Sequence, residues 1–151
     1  FGFIRHPATF IHSLWTHRAR KKANKFGHKW NWQLYLRLEN ECRDEDYNKF
    51  VENILNGKVY VLDYYMHYLG KYKNPQIGKM ENLLEDLIRI LKENNETFDE
   101  DGIRNYSIIH GANNKSTNKP VSLSSSMTED QIKRLVNICE KKLCEEYKYE
   151  V

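Results

Sequence analysis

The fifteen residues that open the chain, FGFIRHPATFIHSLW, restrict its folding more than any other stretch. Phe1 to Ile4 are nearly all apolar and read as a short buried strand. Arg5 follows at the strand's carboxyl end. His6-Pro7 then turns the chain, and Pro7 suits a first helical position because its missing N–H has no helical partner to lose. From Thr9 to about Lys22 the apolar positions Phe10, Ile11, Leu14 and Trp15 recur at helical spacing and form one face. Free N-termini are usually polar and frayed. An apolar strand at residue 1 therefore reads as one entered in mid-sequence, and the chain is expected to lack the N-terminal part of its domain. Any leader or membrane anchor would belong to that part.

The rest of the chain alternates helical patterns with turn signals. Asn31 to Cys42 reads as weakly helical. Tyr47 to Leu55, with Phe50, Val51 and Ile54, reads as an amphipathic helix that Asn56-Gly57 ends. Val59 to Leu69 is apolar and rich in Tyr, and fits no single period. Gln76 to Met80 reads as a short strand. Asn82 to Glu93 is a helix with Leu83, Leu84, Leu87, Ile88 and Leu91 on one side, stopped by Asn94-Asn95. Gly111 to Ser126 has loop composition. Thr128 with Gln131 forms a capping-box signature before a last helix that runs to about Tyr147 through Ile132, Leu135, Val136, Cys139 and Leu143. The expected class is α/β within one domain over residues 1–151. It is mostly helical, with a few parallel strands and the N-terminal part of the sheet missing.

With 40% hydrophobic and 30% charged residues the chain has a globular composition. Its formal net charge of +3 is too small to imply nucleic-acid binding by itself. Basic residues cluster at Arg18, Arg20, Lys21, Lys22 and Lys25, and acidic ones between Glu39 and Asp46. The three cysteines, Cys42, Cys139 and Cys144, contain no CxxC pair, and buried free thiols are expected. No run of about 18 apolar residues occurs, so no membrane span is expected.

The chemistry concentrates around Arg5. Ligands of open α/β sheets bind beyond the carboxyl ends of strands, where Arg5 falls. The N-terminus of the following helix suits a phosphate. A guanidinium fork can bond two phosphate oxygens, and the Ser13 hydroxyl can donate one bond more. An apolar strand, Arg, a short turn, then Ser eight positions after the Arg and an aromatic at Trp15, resembles the 3′-phosphate-binding motif of sulfotransferases. His6-Pro7 resembles the Arg-His-Pro form of the carbohydrate-type members. Downstream, Ile77 to Leu91 (IGKMENLLEDLIRIL) resembles the family's strand and Glu-Asn-Leu helix. Ile108 to Ser116 (IIHGANNKS) resembles its His-x-Asn-x-Ser loop with one extra residue. The closing MTEDQIKRLVNICEKKLCEEYKYE resembles its last helix and Tyr-x-Tyr-like tail, with Lys148 where Gly is usual.

The resemblance implies a partial P-loop-like sulfotransferase fold. It also implies transfer of a sulfuryl group from 3′-phosphoadenosine 5′-phosphosulfate to a hydroxyl or amine of an acceptor, a carbohydrate above all. Arg5 and Ser13 would hold the nucleotide, with Lys115 and Ser116 as further contacts and no metal. The Lys-containing loop for the 5′-phosphosulfate and the catalytic base would precede Phe1, so this piece alone is expected to be inactive. The compartment would be the Golgi lumen in a eukaryote and the cytoplasm in a bacterium. The resemblance brings no nucleic acid as partner, and a membrane only through a missing anchor.

Other residues invite weaker readings. The basic run Arg18 to Lys25 offers an alternative function, a non-catalytic module for nucleic acid or acidic glycan, against a solvated helix end. His6, His12, His17 and His28 lack a convincing metal-ligand set. Lys115, Ser116 and Lys119 fit a loop closing over the nucleotide or an ordinary surface loop. Glu81 and Asp86 are read as a helix-start charge and a solvated carboxylate rather than catalytic groups, and Trp30 and Trp32 as core rather than stacking platforms. Asn95, Asn105 and Asn114 each begin a glycosylation sequon.

Overall fold

In the computed structural model, residues 1–18, 36–57, 59–110 and 127–149 are described. They divide into two compact units. One comprises Phe1–Arg5 and Tyr72–Pro120, the other His6–Lys71 and Val121–Val151. The described chain is mostly helical with a two-strand parallel sheet, which agrees with the expected class at that coarse level.

In the first unit, β1 (Gly2–Ile4) pairs in parallel with β2 (Ile77–Lys79), Phe3 opposite Gly78. Parallel strands cannot be joined by a tight turn, and here the whole of residues 5–76 intervenes. Ile4 is buried, whereas Phe1 is 68% exposed, so burial begins after the first residue. Gly78 lies under Phe3. A Cβ on Gly78 would crowd the Phe3 ring and stand 3.0 Å from Asp86 Cβ, so any side chain at this strand position forces its neighbours to shift.

A 3-10 turn (Met80–Asn82) leads into α5 (Leu83–Glu93), one residue later than the sequence suggests. Ile88 and Ile90 face inward, and Leu83 is 42% exposed. The expectation of Leu83 in the apolar face fails, because Leu83 is the first residue of α5 and lies exposed at its end. Asp86 is not solvated: it is half-buried and accepts the Lys79 backbone N–H at 2.6 Å. With the Arg89 guanidinium donating to the Ile77 carbonyl at 3.1 Å, it fastens α5 to β2. Asn94 and Asn95 end α5, and Asn95 takes a left-handed φ of 55°. Helix α6 (Glu100–His110) was not foreseen. Asp99 caps it by accepting the Gly102 N–H at 2.9 Å, and Arg104 bridges its Glu100 to Glu85 of α5. Ile108 to His110, read as the start of a loop, are the last turn of this helix.

The second unit packs α1 (Pro7–Arg18), α2 (Arg37–Cys42), α3 (Tyr47–Gly57), α4 (Val61–Leu69) and the C-terminal helices around Ile11, Leu14, Leu38, Phe50, Val51, Ile54 and Leu135. Trp15 joins α1 to the segment after α2, its indole N–H donating to the Asp44 carbonyl at 3.1 Å. The Tyr-rich stretch becomes α4, where Tyr64 and Tyr65 lie against Phe10 with ring centroids 4.9 and 5.1 Å away. Tyrosines whose rings pack and whose hydroxyls reach water blur the apolar period, which is why the sequence assigns no helix there.

Thr128 and Gln131 form both bonds of the expected capping box at the start of α7 (Glu129–Arg134). The last helix is not continuous. A π turn over Leu135–Cys139 separates α7 from α8 (Lys141–Tyr147). Cys139 at the end of this turn is half-buried, and Glu140, which follows it, is 1% exposed. Cys42 and Cys144 are buried free thiols, and burial pushes both up to about 11.

Helix α8 ends with Lys148 at φ 52°, ψ 52°, and the Tyr149 N–H donates to the Cys144 carbonyl at 2.9 Å, the six-to-one bond of a Schellman cap. This is the position where the resemblance expects glycine. A left-handed backbone costs a side-chain-bearing residue more than it costs glycine. Lys148→Gly is therefore expected to raise stability by about 0.5–1 kcal/mol. Urea unfolding would measure it, and a loss of stability would contradict this cap.

Candidate functional site

The two residues that the sequence places at a phosphate site fall in different units, and each is described within its own. Arg5 directly follows β1 and is half-buried. Ser13 is exposed on α1, between the buried Ile11 and Leu14. Lys115, Ser116 and Lys119 lie outside the described residues, as do Trp30, Trp32, His28, the Asn114 sequon and the basic residues from Arg20 to Lys25.

The turn into α1 has its own bonding. The His6 carbonyl accepts the Phe10 N–H at 2.9 Å and the Thr9 hydroxyl at 3.0 Å. The His6 ring Nδ1 accepts the Ala8 N–H at 3.2 Å. A helix start offers an anion its unpaired N–H groups. Pro7 has none, and His6 occupies that of Ala8. The Arg5 guanidinium and the exposed Ser13 hydroxyl are the right chemical types for a phosphate, but the helix start contributes fewer backbone donors than a bare one would. The His6 ring also meets Tyr149 edge-on, with centroids 5.3 Å apart and planes at 80°. The residue between Arg5 and Pro7 is thus fixed from two sides, which sequence spacing did not disclose.

Arg18 is no part of a surface patch. Its guanidinium pairs with Glu39 of α2 at 3.0 Å, both side chains buried, so the first member of the basic run binds the fold's own acidic segment. His12 is half-buried and edge-on to Tyr47, and burial lowers its pKa. Among the described residues, no group of three or more His, Cys, Asp or Glu is arranged to hold a metal.

The least foreseeable ionisable residue is Glu140. Its carboxylate accepts the Val61 N–H at 2.6 Å and the Leu62 N–H at 3.3 Å, capping α4 from the far end of the sequence. Tyr60, in the cap position, makes no side-chain cap bond. Burial raises the Glu140 pKa to about 7, against the two N–H bonds, which lower it. A cleft of about 410 Å³ runs past it, lined in part by Tyr60, Leu62, Lys141 and Lys142. Residue 140 lies four after the buried Val136 and three before the buried Leu143, but its charge hides it from an apolar pattern, and no spacing discloses that it caps α4.

The chain matches none of the protein-family models, curated proteins or solved structures with which it was compared.

Proposed function

We propose that the chain is the C-terminal portion of a sulfotransferase that uses 3′-phosphoadenosine 5′-phosphosulfate, with Arg5 and Ser13 binding the nucleotide's 3′-phosphate. One observation carries the reading: a parallel strand ends at Ile4, Arg5 follows it, and a helix begins two residues later at Pro7 with Ser13 exposed on it. That is the local order a phosphate-binding strand–turn–helix unit needs. The second strand and its following helix, at Ile77–Lys79 and Leu83–Glu93, and the left-handed Lys148 agree with the other segments on which the resemblance rests.

In the proposed reaction the acceptor oxygen or nitrogen forms a bond to sulfur, and the bond from sulfur to the bridging phosphate oxygen breaks. The acceptor's proton goes to a base, and the bisphosphate leaves with the bridging electrons. Arg5 and Ser13 act on binding, not on the bonds that change. The acceptor is proposed to be a carbohydrate.

Calorimetry on the full-length protein tests this. It is expected to bind 3′-phosphoadenosine 5′-phosphate in preference to 5′-AMP. Arg5→Ala is expected to weaken the bisphosphate by about tenfold or more, since a hydrogen bond to a charged group contributes roughly 1.5–3 kcal/mol, and to leave 5′-AMP unchanged. Equal binding of the two nucleotides, or of wild type and variant, would overturn the reading.

A further inference from the structure

Of the two sequons within the described residues, Asn95-Glu96-Thr97 and Asn105-Tyr106-Ser107, the fold treats them differently. Asn95 is the first residue past the C-cap of α5, exposed and left-handed at φ 55°. Its backbone is held, the Asn95 N–H donating to the Lys92 carbonyl at 3.0 Å and the Glu96 N–H to the Leu91 carbonyl at 3.0 Å. Its carboxamide has no hydrogen-bond partner among the described residues. The neighbouring Asn94 carboxamide, by contrast, is committed to the Ile90 carbonyl at 2.7 Å. Glu96 and Thr97 are exposed and belong to no helix or strand, and the chain leaves them for the Asp99 cap of α6. The tripeptide is thus a projecting turn anchored at both ends, with the asparagine amide and the threonine hydroxyl both open to solvent.

Asn105 is also exposed, but it lies inside α6. Residues two apart on a helix do not face one another. The Asn105 carboxamide and the half-buried Ser107 hydroxyl therefore point away from each other. One active site cannot engage both without unwinding the helix, which the Arg104 bridges to Glu85 and Glu100 oppose.

We propose that Asn95 is an acceptor for an N-linked oligosaccharide and that Asn105 is not. The donor class is an oligosaccharide carried on a polyprenyl diphosphate. Asn95 Nδ2 forms the bond to the sugar's C1, and the bond from C1 to the diphosphate oxygen breaks. The polyprenyl diphosphate leaves with that electron pair, and the amide proton passes to a base of the transferring enzyme. The threonine two residues on supplies the second contact, which is why sequons sit in surface turns.

The test is to send the full chain through the secretory pathway of a eukaryotic host and to map occupancy by mass spectrometry after glycosidase release, which converts a glycosylated asparagine to aspartate. Asn95 is expected to be occupied, and Asn95→Gln and Thr97→Ala are each expected to remove one glycan's mass while leaving the circular dichroism spectrum unchanged. Asn105→Gln is expected to change nothing. Unmodified Asn95 in secreted protein, or occupancy at Asn105 equal to that at Asn95, would overturn the proposal. Thr97→Ala keeps the asparagine, so its result separates loss of the modification from any effect of replacing Asn95.

Discussion

Below about pH 4.5, where the carboxyl is protonated in both states, Glu140→Ala is expected to destabilise the protein by about 2–4 kcal/mol, the sum expected from losing a helix cap and leaving buried N–H donors unpaired. Glu140 is 1% exposed and is the acceptor for Val61 and Leu62 at the start of α4. A helix N-terminus carries a partial positive charge, so the carboxylate there satisfies both hydrogen bonding and the dipole. The same burial makes it pH-sensitive. Its pKa is raised to about 7 by desolvation, outweighing the two N–H bonds, with a small addition from Asp63 on the first turn of α4. An acid whose folded pKa is raised favours its protonated form in the folded state. Its stabilisation is fully present below the unfolded value near 4.5 and is lost as pH rises through about 7. By linkage this amounts to something on the order of 3 kcal/mol across that window.

Wild type should therefore lose stability relative to Glu140→Gln as pH rises from about 4.5 to about 7, and run parallel to it on either side. The glutamine retains one carbonyl acceptor but turns an amide donor toward the second N–H, so it should be less stable than wild type at the acid end. Urea unfolding at a series of pH values measures both variants. A pH-independent difference between wild type and Glu140→Gln would show that the carboxyl does not titrate in this window. An unchanged midpoint for Glu140→Ala at the acid end of the series would show that it does not cap α4.

Gly78→Ala is the second change expected to have a large effect, about 1–3 kcal/mol by overpacking. The added methyl would crowd the Phe3 ring and stand 3.0 Å from Asp86 Cβ. The ring can swing aside only by giving up its place over β2. Asp86 can move only by disturbing its bond to the Lys79 N–H. If the ring is the principal obstacle, Phe3→Ala and Gly78→Ala together should cost less than their separate effects combined, a coupling that a double-mutant cycle reads directly. Strict additivity would shift the cause to Asp86, and an unchanged stability would contradict the pairing of Phe3 with Gly78.

Elements whose apolar residues keep a helical or extended period over a whole turn or more were legible. The strands at residues 2–4 and 77–79, helices α1, α3 and α5, and the Thr128–Gln131 box all lie where the residues put them. These features depend on contacts between near neighbours, so a local reading reaches them. Arg5 and Ser13 are proposed as phosphate residues from a spacing within one strand–turn–helix segment, a reading equally local. Helix α6 was missed because its polar residues carry no clear stripe, and it is held through Arg104 and Asp99 instead.

The sequence by itself determined the local order of strand, turn and helix, the residues presented at that turn, and the caps formed by side chains three or four positions away. Only the tertiary structure decided that Gly78 lies beneath Phe3, that Arg18 closes on Glu39, and that Glu140 caps α4. Each of these joins residues far apart in the chain. Their energies come from burial and from hydrogen bonds that exist only after the elements have packed, and no spacing along one segment carries that information.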